Sequence, residues 1–171
     1  MNKNKIESYS LASDSWGAEE IEAINSVIKS NRYTMGPKVK KFEEEFAQYF
    51  GTNYGIMVNS GSSANLLMIA SLFLSNEYDL NKGDEVIVPA VSWSTTYYPV
   101  SQYGLKLVFV DIDRATLNID IDEVIKAINP KTKVIFAVNL LGNPCDFERL
   151  QSLCNEKNII LIEDNCESLG A

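Results

Sequence analysis

The chain of 171 residues is 46% hydrophobic, enough to bury the core of about one domain. Its formal net charge of −8 argues against general binding to nucleic acids or anionic membranes. Histidine is absent, which excludes Ser-His-Asp and Cys-His catalysis and every histidine-based metal site within this sequence, so no metal is expected.

The N-terminus, MNKNKIESYS, has no apolar core and does not read as a signal peptide. Residues 1–16 read as a polar N-terminal arm with Tyr9, Leu11 and Trp16 as candidate anchors. A helix is predicted over about 17–30, with Ile21, Ile24 and Ile28 at helical spacing and Asn31 at its end. A second opens at Pro37 and stops at Gly51, carrying Val39, Phe42, Phe46 and Phe50 as a stripe expected to be core. Lys38, Lys40 and Lys41 read as its solvated face.

From residue 55 the texture alternates between strand and helix. Strands are predicted at 55–58, 85–89, 106–111, 133–138 and 158–163, and helices at 62–74, about 93–103, 120–129 and 146–157. Pro99 falls inside the second of these helices and should kink or shorten it. Such alternation implies an α/β unit with a mostly parallel sheet, right-handed crossovers and flanking helices. The apolar stretch Leu66–Leu74 is too short to span a bilayer. Cys145, Cys154 and Cys166 form no CxxC pair, and the odd count suggests reduced thiols in the cytoplasm.

Four stretches leave the C-terminal ends of strands, where open α/β sheets bind ligands. NSGSSAN, Asn59–Asn65, opens an apolar helix; Gly61, Ser62 and Ser63 are candidates to hold a phosphate on backbone amides. Plain capping by a serine is the alternative there. In PAVSWSTT, Pro89–Thr96, Trp93 either offers its indole face to a flat ring or is core. In NLLGNPCD, Asn139 is a hydrogen-bonding candidate, while Gly142-Asn143-Pro144 is turn chemistry. NIILIEDNCESLGA ends a buried strand on Glu163 and Asp164, where Asp164 is either a ligand contact or a cap or surface charge. A phosphate cradle, a stacking ring and an acid are the contacts a pyridoxal phosphate site needs, because a carboxylate keeps the pyridine nitrogen protonated.

The segments NRYTMGPKVKKFEEEF, VNSGSSANLL, GDEVIVPAVSWSTT, FVDID and IILIEDNCESLGA resemble the DegT/DnrJ/StrS family from about Tyr9 onward. These are fold-type I (aspartate aminotransferase-like), pyridoxal-phosphate-dependent enzymes acting on nucleotide-linked keto-sugars. The resemblance implies that Gly61 and Ser62 bind the cofactor phosphate and Trp93 stacks on its ring. It pairs Asp164 with the ring nitrogen and sets Glu167 near the phenolic oxygen edge, with Ser63 and Asn139 as lesser members. Many aminotransferases of the family carry glutamine where Glu167 stands. TMGPKV and PAVSWSTTYYP look more like the 3-dehydratase branch, which acts on GDP-4-keto-6-deoxymannose with pyridoxamine phosphate and has a histidine in place of the Schiff-base lysine.

The resemblance also implies a large-domain sheet of strand order 3-2-4-5-6-7-1, counting 55–58 as first, of which these residues hold five strands. Residues 17–171 then read as the N-terminal part of a large domain, with its remainder, a small domain and the catalytic base expected beyond Ala171. Lys106 and Lys133 begin strands, at the wrong end of the sheet to serve as that base. The leading expectation is the cofactor-binding portion of an enzyme of deoxysugar or lipopolysaccharide biosynthesis, inactive by itself and homodimeric when complete. C3 dehydration is favoured, with glutamate-dependent amino transfer as the alternative. From other classes, a non-catalytic binding module remains, whereas a nucleotide switch built on NIILIED lacks a Walker A lysine.

Overall fold

Four short runs rich in β-branched residues pair in parallel in the computed structural model, which describes residues 14–170. They are β1 (Glu85–Pro89), β2 (Lys106–Val110), β3 (Thr132–Val138) and β4 (Ile160–Asp164), in the order β2-β1-β3-β4. Counted with residues 55–58 as first, this is the 3-2-4-5 segment of the implied order. Residues 55–58 themselves form no strand, correcting that expectation. A strand exists through its ladder, and none of the four strands pairs with this segment. Ile56 and Met57 are exposed instead.

The chain divides into two compact units, Met1–Met57 and Val58–Ala171. In the second, side chains alternate along the buried strands and feed two cores. Val86, Val88, Val134, Phe136 and Ile162 pack with Ile69 and Leu72 of α3 (Gly61–Leu74) and Val100 of α4 (Ser94–Gln102). Ile87, Ile135 and Ala137 face the other way, toward Val124 of α5 (Ile121–Ala127) and Leu150 and Cys154 of α6 (Phe147–Lys157). Both faces of the sheet are covered, which is why these strands read as continuous apolar runs. Asp120 caps α5 and Asp146 caps α6 through their carboxylates. Pro99 is accommodated inside α4, which is held to nine residues.

In the first unit, α1 (Ala18–Ser30) ends on Asn31 and α2 (Pro37–Phe50) on Gly51, both left-handed. The aromatic stripe on α2 is not core, contrary to expectation: Phe42 and Phe50 are 48% and 44% exposed. Two helices without a sheet offer too little surface to enclose it. The rings stack along the helix instead, Phe46 lying 5.5 Å from Phe42 and 4.6 Å from Phe50. Lys38, Lys40 and Lys41 are solvated as expected, with weak ion pairs from Lys40 to Glu44 and Lys41 to Glu45. Trp16 is 65% exposed, while Tyr9 and Leu11 lie outside the described residues.

Candidate cofactor-binding site

Asp164 is the last residue of β4 and only 5% exposed, so it is neither a cap nor a surface charge. Its Oδ2 accepts from Asn65 Nδ2 at 2.8 Å and, at a long 3.5 Å, from the Thr96 hydroxyl. Its Oδ1 accepts from the Cys166 amide at 3.0 Å, which closes a local turn after the strand. A buried carboxylate is stable only with such donors around it, and they arrive here from α3, α4 and its own loop.

The start of α3 lies beside this acid. Ser60 caps the helix, its hydroxyl accepting from the Ser63 amide at 3.2 Å, which is the capping the sequence offered as the alternative. The amides of Gly61 and Ser62 have no partner among the described residues, and both residues are exposed. Unpaired amides at the positive end of a 14-residue helix suit an anion. A Cβ on Gly61 would stand 3.8 Å from Cys166 Cβ, so the helix start faces the loop carrying Asp164's third donor. Gly61 and Asn65, four residues apart, share one side of the helix.

Trp93 is the N-cap residue of α4 and 70% exposed, so its indole is not core. Three residues later the same chain delivers Thr96, whose hydroxyl also meets Ser92 Oγ at 3.1 Å.

Asn139 and Glu167 serve the loops. Asn139 is buried, and its Nδ2 donates to Glu163 Oε1 at 2.8 Å and Asn165 Oδ1 at 2.6 Å. Its Oδ1 accepts from the Cys145 amide at 2.8 Å and its own amide donates to the Asp164 carbonyl at 3.2 Å. Both protons of the side-chain amide are thus committed inside the protein. The Leu141 amide donates to Glu167 Oε2 at 2.7 Å, tying the loop after β4 to the one after β3, where Leu141 has a positive φ of 54°.

Cys166 stands beside the same acid. Desolvation, then the Asp164 carboxylate and the Glu167 charge, push its thiol up to about 12 from an ordinary 9.0. Burial, with the Glu163 charge behind it, raises Cys145 to about 11. A groove of about 500 Å³ lined by Asp113, Asp120, Asp122 and Arg149 lies elsewhere in the second unit and shares no residue with the Asp164 cluster.

Three of the sequence stretches therefore contact the Asp164 carboxylate, through Asn65, Thr96 and Cys166, while Asn139 of the fourth reaches the Asp164 backbone carbonyl. Sequence reasoning passed over Asn65 and Thr96. The available signal was a polar residue in phase with Ile69 and Leu72 on the buried side of an apolar helix.

The chain is 57% identical over 163 residues to GDP-4-keto-6-deoxy-D-mannose 3-dehydratase of Yersinia pseudotuberculosis, covering 95% of this chain and 42% of that one. It is 35% identical over 151 residues to dTDP-4-dehydro-2,3,6-trideoxy-D-glucose 4-aminotransferase of Saccharopolyspora spinosa, covering 87% and 38%. A crystal structure of GDP-4-keto-6-deoxymannose-3-dehydratase with a trapped PLP-glutamate geminal diamine superposes with a TM-score of 0.91 at 56% identity. That superposition covers 96% of this chain and 42% of the other, so the sheet and its flanking helices are part of a fold-type I architecture. With residues 14–171 matching its pattern, the chain belongs to the DegT/DnrJ/EryC1/StrS aminotransferase family.

Proposed function

We propose that these residues hold the cofactor of a pyridoxal or pyridoxamine phosphate enzyme that removes the C3 hydroxyl of a GDP-linked 4-keto-6-deoxy sugar. One observation carries the cofactor half: the Asp164 carboxylate is buried, fixed, and still has room for one more donor. A carboxylate offers roughly four lone-pair directions. The Asn65 side chain and the Cys166 amide take one on each oxygen and Thr96 stands at a longer 3.5 Å, so the group can still accept an N–H such as that of a protonated pyridine ring. The unpaired amides of Gly61 and Ser62 fit the phosphate of the same ligand.

Once bound, the cofactor supplies an electron sink for charge developing on the attached sugar carbon. The chain's residues make that possible. Gly61 and Ser62 fix the phosphate, with the Ser63 hydroxyl close by, and the exposed Trp93 indole covers one face of the ring. Asp164 keeps the proton on the ring nitrogen. Asn139 and Glu167 hold the two loops that frame the acid. Among the described residues no lysine stands at the C-terminal ends of β1, β3 or β4, and Lys106 and Lys133 lie at the opposite ends of their strands. The base that moves the sugar proton is assigned to a part of the enzyme outside these stretches.

Dehydration is favoured over amino transfer by the 57% identity to the dehydratase against 35% to the aminotransferase. Glutamate is proposed as amino donor, in line with the trapped adduct of the similar dehydratase. A homodimer in the cytoplasm is the assembly and location the resemblance implies. Three free cysteines agree with a reducing compartment.

The test is to give the full-length enzyme pyridoxamine phosphate, glutamate and GDP-4-keto-6-deoxymannose, and to weigh the nucleotide-linked product. Loss of the C3 oxygen supports dehydration, and a gained amino group supports transfer. A protein that binds neither cofactor form would sink both.

A further inference from the structure

We infer that Asn65 is the positioning residue that aims Asp164 at the cofactor's ring nitrogen, with the Thr95 carbonyl, left open by Pro99, as its second and longer contact. The inference deepens the reading of Asp164 given above and rests on it.

Asn65 is 4% exposed on the apolar side of α3, in phase with Ile69 and Leu72. A primary amide buried among aliphatic side chains is costly unless its donors are paired. Its Nδ2 has two acceptors, Asp164 Oδ2 at 2.8 Å and the Thr95 carbonyl at 3.5 Å. That second acceptor exists for a local reason. In a helix the Thr95 carbonyl would accept from the amide of residue 99, but residue 99 is proline and has none. Pro99 is itself buried.

The carboxylate is thereby held at both oxygens. The Cys166 amide holds Oδ1 at 3.0 Å and Asn65 holds Oδ2 at 2.8 Å, which fixes rotation of the group about its last bond. The Thr96 contact at 3.5 Å is too long to do this alone. Without Asn65 the acid is pinned at one oxygen and its remaining lone pair loses its direction. With aspartate at residue 65, an oxygen would face Oδ2 and hold it off the ring.

The experiment uses the full-length holoenzyme carrying cofactor labelled with ¹⁵N in the ring, whose chemical shift reports whether that nitrogen is protonated. Asp164→Ala comes first. If its signal stays at the wild-type position, the reading of Asp164 is wrong and the inference falls with it. If it moves to the unprotonated position, Asn65→Asp and Asn65→Ala are expected to move part of the way. They should also weaken pyridoxamine phosphate binding about tenfold, the size of one hydrogen bond to a charged group. Wild-type signal and affinity in either Asn65 variant overturn the inference. Should neither variant fold, Pro99→Ala decides, because it returns a helical donor to Thr95 without touching the site. A smaller shift in the same direction supports the proposal, and an unmoved signal overturns it.

Discussion

Asn139 Nδ2 stands 2.8 Å from Glu163 Oε1, joining the loop after β3 to the end of β4. The same buried side chain meets Asn165 and the Cys145 amide, so three hydrogen bonds converge on one amide. Asn139→Ala would strand the Cys145 amide, which is buried, together with the two acceptors. A loss of about 2–3 kcal/mol in stability is expected. Urea unfolding of the full-length protein measures it, and a midpoint equal to wild type would show that the cluster holds nothing together.

Gly55 tests the first unit independently. A Cβ there would lie 2.7 Å from the Glu43 carbonyl oxygen, a backbone atom that cannot swing aside. The nearby Met57 amide donates to Glu43 Oε1 at 2.8 Å, so this segment is anchored to α2. Gly55→Ala should therefore cost about 1–3 kcal/mol, as overpacking does. A thermal melt that does not fall would place the backbone farther from α2 than described.

Trp93 and Asp164 should separate in their effects. The indole is 70% exposed, so Trp93→Ala leaves the unfolding midpoint within about 0.5 kcal/mol of wild type. Cofactor affinity in the full-length enzyme should nonetheless fall about tenfold as ring stacking is lost. Unchanged affinity would remove Trp93 from the site. Asp164→Ala, by contrast, should abolish turnover while the sheet still forms, and near-normal turnover would refute its role.

The Cys166 thiol, raised to about 12, should resist alkylation at pH 8 despite its exposure and react only as the pH climbs toward that value. The sign for stability follows from the same shift. Because the folded thiol holds its proton more tightly than an ordinary one at 9.0, its contribution is intact below about pH 9. It is lost as the pH rises toward 12. Fast modification of Cys166 by iodoacetamide at pH 7, read by mass spectrometry, would contradict this environment.

Much of the candidate site was legible because its proposed members stand at element boundaries. Gly61 and Trp93 open helices and Asp164 closes a strand, and boundaries are marked by local composition. The strands at 85–89 and near 133–138 were equally plain, since burial on both faces imposes an unbroken apolar run. Residues 55–58 had the same texture but no ladder, and apolar texture alone cannot supply one. Phe42 and Phe50 had core spacing but no enclosing surface.

The sequence by itself determined most of the helices, the four paired strands and that three small-residue or acidic stretches follow strand ends, because these depend on neighbours a few residues away. Only the tertiary structure decided that Asp164 is held by Asn65, 99 residues distant, and by Thr96, 68 residues distant. The pairing of a buried carboxylate is set by which chain elements the sheet brings side by side, and no local pattern encodes that choice.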